Sequence, residues 1–183
     1  VSDNQSVEYR MAILRTGTAV AQVAYIPSAD VRMTDEAFIA LIKDFTATYG
    51  GEDLDASLLE MANLRFLPPD DPRLHATIQA IRDGLSQDGW LLRYRLDDGF
   101  GRPTVAFMIC SFWLVEALAA IGHTTEARDV MVHIRNACSP LGLLSEDCET
   151  VSRRLWGNFP QAYSHAGFIH AAFAASPPWA EIS

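Results

Sequence analysis

An all-α fold with helices in two layers is predicted for most of this chain of 183 residues. The first observation is that apolar residues recur at helical spacing from residue 34 to residue 175, between short breaks rich in glycine or proline. The second is that residues 104–121, apolar on nearly every side, are followed by an amphipathic stretch, 125–137. The third is the composition, 49% hydrophobic and 20% charged, which is globular and excludes a disordered chain.

Three helices are predicted in the first part of this region. The first begins after Thr34, a suitable N-cap, and ends at the glycines of 49–51. The second begins at Asp53 or Asp55. The third follows a rigid proline-rich loop, has Pro72 as its first residue and carries a regular apolar stripe on one face.

Three more helices are predicted at 104–121, 125–137 and 159–175, with a long connection of few helical signals at 141–157. An inner helix touches neighbours on every side and an outer helix meets solvent on one face, so this alternation indicates concentric layers. The uneven loops do not fit a four-helix bundle, and no fixed repeat supports a solenoid. The sequence therefore predicts part of an α/α toroid with about six helices.

The N-terminal part of the chain has weaker signals. Residues 19–26 have a weak strand pattern, and Pro27 ends it. We therefore divide the chain into a poorly readable N-terminal segment, 1–33, and a helical domain, 34–183.

Charge and composition restrict the partners and the compartment. The formal net charge of −9 argues against a nucleic acid or an anionic lipid surface as the main partner. The most apolar run, 105–121, contains Ser111 and Glu116 and is better interpreted as a buried helix than as a membrane span. The first ten residues contain no apolar targeting segment, and three scattered cysteines fit a reducing compartment. We predict a cytoplasmic protein that does not bind membranes.

Several polar and aromatic residues are candidates for a site. Glu146 follows a short apolar run in a predicted loop, where it either lines a pocket or is a solvated carboxylate. Trp156 lies in the same connection and is a candidate platform for a ligand. Arg93, Arg95 and Arg102 precede the apolar helix and either clamp a ligand at a pocket mouth or face solvent.

The histidines do not form a metal-binding pattern. His165 and His170 are five residues apart, which on a helix separates them by about 140°. We interpret them, with His123 and His133, as packed or capping residues. We predict no metal and no cofactor.

Five short segments carry a family signature. They read LDASLL at 54–59, FLPPDDPR at 66–73, CSFWLVEAL at 110–118, GLLSE at 142–146 and GNFPQAYSH at 157–165. In this order they resemble the C-terminal half of glycoside hydrolase family 15, the bacterial glucoamylase and trehalase-like enzymes.

The resemblance implies an (α/α)6 barrel of twelve helices and hydrolysis with inversion by two glutamates. It implies that Glu146 is the general base, and that Arg95, or less well Arg93, is the substrate-binding arginine before the apolar helix. The acidic residue that the family usually has just before this helix is absent from 102–107. The Trp-Glu motif of the family's general acid is absent from 1–51.

We therefore expect a truncated or partial catalytic domain that acts by inversion on the α-glucosidic bonds of maltodextrins or trehalose, with little activity on its own. Arg95 and Trp156 are expected beside Glu146 as substrate-binding residues, and the ligand is an oligosaccharide or a disaccharide. The alternative is a non-catalytic helical module that binds carbohydrate or completes a barrel with a partner chain. Half of a toroid would expose apolar flanks, which predicts self-association or a missing N-terminal half.

Overall fold

The computed structural model describes residues 10–16, 19–25, 46–47, 53–97, 99 and 101–177. The chain divides into two compact units, Val1–Lys43 and Asp44–Ser183. The predicted boundary after residue 33 lies outside the described residues, and so does nearly all of the helix predicted from Thr34 to the glycines at 50 and 51.

The first unit contains an antiparallel pair of strands. Strand β1, Arg10–Thr16, pairs with β2, Ala19–Tyr25, so that Arg10 is opposite Tyr25 and Thr16 is opposite Ala19. The strand predicted at 19–26 is therefore confirmed, whereas β1 was not predicted. Its sequence, RMAILRT, has no clear alternation of apolar and polar residues, which is the pattern that identifies a half-buried strand.

The second unit contains five α-helices within the described residues. A 3₁₀ turn, Ala56–Leu59, leads directly into a short α1, Glu60–Asn63. The longer helices are α2 (Pro72–Leu85), α3 (Met108–Ala120), α4 (Thr124–Arg135) and α5 (Ala162–Ala175). The starts predicted at Asp55, at Pro72 and at residue 125 agree with the observed starts to within one residue.

Local capping explains where the first of these elements begin. Asp55 Oδ1 accepts a hydrogen bond from the Ser57 amide at 2.7 Å, so Asp55, one of the two predicted starts, is the N-cap. Asp71 does the same for the Arg73 amide at 2.9 Å, and Pro72 is the first residue of α2, as predicted.

Helix α3 is the centre of the second unit. Ten of its thirteen residues are buried, and it packs against both α4 and α5. Helix α4 buries only Ala127 and Ile134 and exposes its other face, so the predicted pair of an inner and an outer helix is confirmed. An ion pair between Arg82 and Glu126 joins α2 to α4 at the surface.

The prediction of an all-α fold is wrong in its detail, because short strands lie between the helices. Strands β3 (Ser86–Gln87) and β4 (Trp90–Leu91) form a hairpin after α2. A second sheet contains β5 (Ala106–Phe107), β6 (Asp147–Cys148) and β7 (Leu155–Trp156), all antiparallel with β6 in the centre. The unit is thus mainly helical with two small sheets.

This second sheet also corrects two predicted helix boundaries. Helix α3 begins at Met108 and not at residue 104, because Ala106 and Phe107 pair with Cys148 and Asp147. Helix α5 begins at Ala162 and not at residue 159, since a residue before proline is disfavoured in a helix and the Gln161 amide is bonded to Leu144 O. Within residues 53–97 and 101–177 no helix combines the length and apolar character that crossing a bilayer requires.

Helices α3 and α5 approach most closely at Gly167. A Cβ added there would overlap Ile109 Cδ1 and lie 3.0 Å from Phe112 Cδ2. We expect Gly167→Ala to lower the free energy of unfolding by about 1–3 kcal/mol, because overpacking outweighs the better helix propensity of alanine. Denaturant unfolding measures the change.

The matched control is Gly84→Ala in α2, where the added Cβ would meet only the terminal methyl of Leu54. This variant is expected to be as stable as the wild type or up to about 1 kcal/mol more stable. Equal stability of the two variants would show that the α3–α5 contact is loose.

Candidate active site

The backbone of Glu146 is fixed on both sides. Its amide donates to Asn158 O at 2.9 Å, and its carbonyl accepts from the Met108 amide at 3.0 Å. Met108 is the first residue of α3, and Asn158 belongs to the segment before α5. The two packed helices therefore determine where Glu146 stands.

Leu144, two residues before Glu146, ties the same segment to α5. Leu144 O accepts from the Gln161 amide at 2.9 Å, and the Leu144 amide is bonded to His165 Nε2 at 3.2 Å. Ser145 is fully buried, and its hydroxyl donates to Asp147 O at 2.5 Å. The run from Leu144 to Asp147 is thus held by hydrogen bonds at each residue.

Asn158 orients the Glu146 carboxylate. Its Oε2 accepts hydrogen bonds from both the backbone amide and the side-chain amide of Asn158, at 3.1 and 2.9 Å. Gly157 makes this approach possible, since its φ is +74° and a Cβ there would lie 2.8 Å from Oε2. Among the described residues, the hydrogen bonds to this carboxylate are made to Oε2 and not to Oε1.

A cavity of about 630 Å³ lies in front of Glu146. Its volume falls in the range of small-molecule sites. Its wall combines two arginines and two carboxylates with apolar side chains. The lining residues are Arg93, Tyr94, Gly101, Arg102, Pro103, Thr104, Val105, Phe107, Glu146 and Asp147. Opposed charges of this kind suit a polar, neutral ligand that offers both donors and acceptors.

Arg93 is the better fixed of the two lining arginines. Its Nε donates to Asp55 Oδ1 at 2.7 Å, and its guanidinium lies 5.5 Å from the ring of Trp113. Asp55 is the residue that caps the 3₁₀ turn, so the same carboxylate both starts that turn and holds the arginine. The side chain is oriented by an ion pair and a cation–π contact before any ligand arrives.

Arg95, the arginine favoured by the sequence, lies elsewhere. Its Nε donates to Gly84 O at 2.7 Å and its Nη2 to Ser86 O at 2.9 Å. It therefore caps the carbonyls at the C-terminal end of α2 and does not belong to the cavity lining given above. Its role as a substrate clamp stays a prediction that this position does not favour.

Trp156 lies beside the cavity and not in its wall. It pairs with Asp147 across β6 and β7, and its side chain is 47% exposed. The guanidinium of Arg154 lies 4.7 Å from its ring. One face of the ring is thus occupied by a cation, and its role as a ligand platform stays a prediction.

Sequence reasoning missed three residues that shape this site. Asp147, which lines the cavity, was not among the candidate site residues considered from the sequence. Gly157 and Asn158 had appeared only inside a matched segment, and their contacts with Glu146 were not predicted. A Gly-Asn pair between a strand and a helix is a turn signal, and this signal could have drawn attention to them.

The histidines have packing roles in the structure, and within the described ranges no three His, Cys, Asp or Glu side chains are arranged to hold a metal ion. His123 pairs with Glu126, and the ring of His133 packs edge-on against Trp90. His170 lines a smaller cavity of about 250 Å³ between α1, α3 and α5. Burial, followed by the charge of Glu60, raises the pKa of Glu116 in that cavity to about 7.

Comparison with known proteins agrees with this geometry. The family model for glycosyl hydrolases family 15 matches residues 18–173. The chain therefore belongs to glycoside hydrolase family 15, the family whose signature its five segments carry.

The chain is similar to several trehalases. It is 49% identical to a trehalase of Mycobacterium tuberculosis over 130 residues, which cover 69% of this chain and 19% of that protein. It is 39% identical to a trehalase of Thermoplasma acidophilum, over 70% of this chain and 22% of that protein. A solved glycosidase superposes with a TM-score of 0.62 at 25% identity, covering 73% of this chain and 39% of the other. The chain thus spans about a fifth of the length of these trehalases.

Gly157→Ala tests whether the glycine is needed to hold the Glu146 carboxylate. The left-handed backbone costs an alanine about 1–2 kcal/mol, and the new Cβ would in addition displace Oε2 from Asn158. We expect a loss of stability of about 2–4 kcal/mol by denaturant unfolding.

Gly142→Ala is the matched control, because Gly142 has a similar φ of +75° and open space around its Cβ position. It should lose only the backbone part, about 1–2 kcal/mol. If both variants lose the same amount, the carboxylate is free to move and the contact with Gly157 does not position it.

Proposed function

We propose that this chain forms the base half of an inverting glycoside hydrolase site, in which Glu146 activates the water that attacks an α-glucosidic bond. The observation that carries the proposal is the fixed Glu146 carboxylate at a cavity that also contains an oriented arginine. Membership of family 15 supports the reaction class.

The geometry supports a base role for Glu146. A carboxylate with one oxygen bonded to two amide donors has its other oxygen available to accept a proton from water. In this proposal Oε1 takes that proton while the water oxygen attacks the anomeric carbon. Arg93, held by Asp55, binds a sugar hydroxyl or ring oxygen and keeps the sugar in register with the water.

The proton for the leaving group comes from a different carboxyl group. An inverting pair needs about 6.5–9.5 Å between its carboxyls, with the sugar and the water between them. Asp147 does not meet this requirement, since its Oδ2 and Glu146 Oε2 both lie close to the Cβ position of Gly157. In this proposal the acid is supplied by another part of the assembled barrel, and this chain alone releases little or no glucose.

We propose trehalose as the substrate, with maltodextrins as the second candidate. The similar curated proteins are trehalases, at up to 49% identity. The (α/α)6 barrel belongs to the same proposal, and the pairing of the buried helix α3 with the outer helix α4 supports it. The cytoplasmic location predicted from the sequence stays a prediction.

The experiment uses the Mycobacterium tuberculosis trehalase as a host. The matched 130 residues of that enzyme are replaced by those of this chain, and trehalose hydrolysis is measured. We expect an active chimera, and we expect Glu146→Gln to lower its kcat by about 10²–10⁴-fold, because general base catalysis is lost. The isolated chain is the baseline.

The matched control is Glu149→Gln, since the Glu149 carboxylate accepts hydrogen bonds from its own loop, at the amides of Val151 and Ser152, and does not line the cavity. This variant should retain the activity of the chimera. A folded chimera that binds trehalose without hydrolysing it would instead favour the non-catalytic module. A chimera that is active with Glu146→Gln would exclude Glu146 as the base.

We also propose that the chain associates through the exposed face of α5. This face carries Ile169 and Phe173, which are 52% and 68% exposed. At about 25 cal/mol per Å² of apolar surface, burying a few hundred Å² on each copy is worth several kcal/mol before association costs. We expect self-association at micromolar concentration by light scattering, weakened by Phe173→Glu.

The control for this prediction is Val132→Glu, which places the same charge on an exposed apolar residue of α4. It should leave the association unchanged. A monomeric wild-type chain at these concentrations would contradict the proposal.

A further inference from the structure

Two carboxylates of neighbouring residues reach the same cavity. Glu146 and Asp147 both line the cavity, together with Arg93 and Arg102. The Cβ position of Gly157 lies 2.8 Å from Glu146 Oε2 and 3.1 Å from Asp147 Oδ2. The two carboxylates therefore flank one glycine.

The two carboxylates differ in their hydrogen bonds. Glu146 Oε2 accepts two donors from Asn158. Among the described residues, burial and the charge of Glu146 act on the Asp147 carboxyl, and no hydrogen-bond donor does. An ionised carboxylate only accepts hydrogen bonds, whereas a protonated one also donates, so Asp147, which lines the cavity, can donate to a ligand there when it carries a proton.

The ionisable groups around Asp147 come from several elements. Glu146 and Cys148 are its neighbours in the chain, the Cys110 thiol of α3 interacts with it electrostatically, and two arginines share its cavity. Arg93 is already paired with Asp55. Burial and, after it, the charge of Glu146 raise the pKa of Asp147 to about 6.

We propose that Asp147 is a substrate-binding residue that donates a hydrogen bond from its protonated carboxyl to a sugar oxygen, beside Glu146 as the base. This inference rests on the proposed function, because it takes a sugar as the ligand of the cavity. It assigns different tasks to two adjacent acids according to the donors that each one meets.

The inference fixes the direction of a pH effect. A bound sugar displaces water from the cavity, and the loss of water raises the cost of two negative charges beside one glycine. Binding of the sugar therefore favours the state in which Glu146 and Asp147 together carry one proton over the state in which both are ionised. Sugar should bind more tightly below pH 6, where Asp147 is protonated, than above it, and binding near neutral pH should take up a proton.

The experiment measures trehalose and glucose binding to the isolated chain by ligand-observed NMR at about pH 5 and about pH 7.5. We expect the wild-type affinity to fall by about 3- to 10-fold at the higher pH, which corresponds to one hydrogen bond. Asp147→Asn keeps an N–H donor and does not titrate, so its affinity should not change with pH. Asp147→Ala should bind weakly at both values.

The control variant is Glu149→Gln, which removes a nearby carboxylate outside the cavity and should keep the wild-type pH dependence. A side-chain ¹³C titration of Asp147 identifies the group responsible. If the wild type binds the sugars but Asp147→Ala binds them equally well, or if affinity does not depend on pH, this inference alone is overturned. If the wild type binds neither sugar at either pH, the proposed function fails and the inference with it.

Discussion

The hydrogen bond from the Met108 amide to Glu146 O joins the core of the protein to its site. Met108 begins α3, the helix around which α4 and α5 pack, and it is completely buried. Because a close-packed core does not deform easily, the first turn of α3 is a rigid reference point. With the backbone of Glu146 held there, the two hydrogen bonds from Asn158 orient its carboxylate. The segment that contains Glu146 is thereby held in place by the helices next to it.

Local signals in the sequence were sufficient for elements with local causes. Asp71 and Pro72 determine the start of α2 through a side-chain cap and a fixed φ. Both signals can be recognised from adjacent residues in the sequence. The start of α3 has a distant cause. Residues 104–107 continue the apolar pattern of the helix, but two of them pair with Asp147 and Cys148, about forty residues later. Periodicity within a window contains no information about such a partner.

The same distinction explains the site. Glu146 could be named from a family resemblance, and the structure shows why that position is well held. The choice between Arg93 and Arg95 depends on what each guanidinium meets, and these partners are Asp55 for the first and the carbonyls of Gly84 and Ser86 for the second. Two arginines two residues apart thus serve different purposes, one at the cavity and one at a helix end. Spacing along the chain gave no basis for separating them.

The glycine at position 157 also limits how this gene can change. Every codon for glycine becomes, by a single-base change that alters the amino acid, a codon for a residue with a Cβ or a stop codon. At most surface turns such a change costs only some backbone strain, as at Gly142, where the space is open. At Gly157 the added atom meets two carboxylates at once. Every single-nucleotide missense mutation at this codon therefore places an atom beside the Glu146 carboxylate. No such mutation leaves the geometry of the site unchanged.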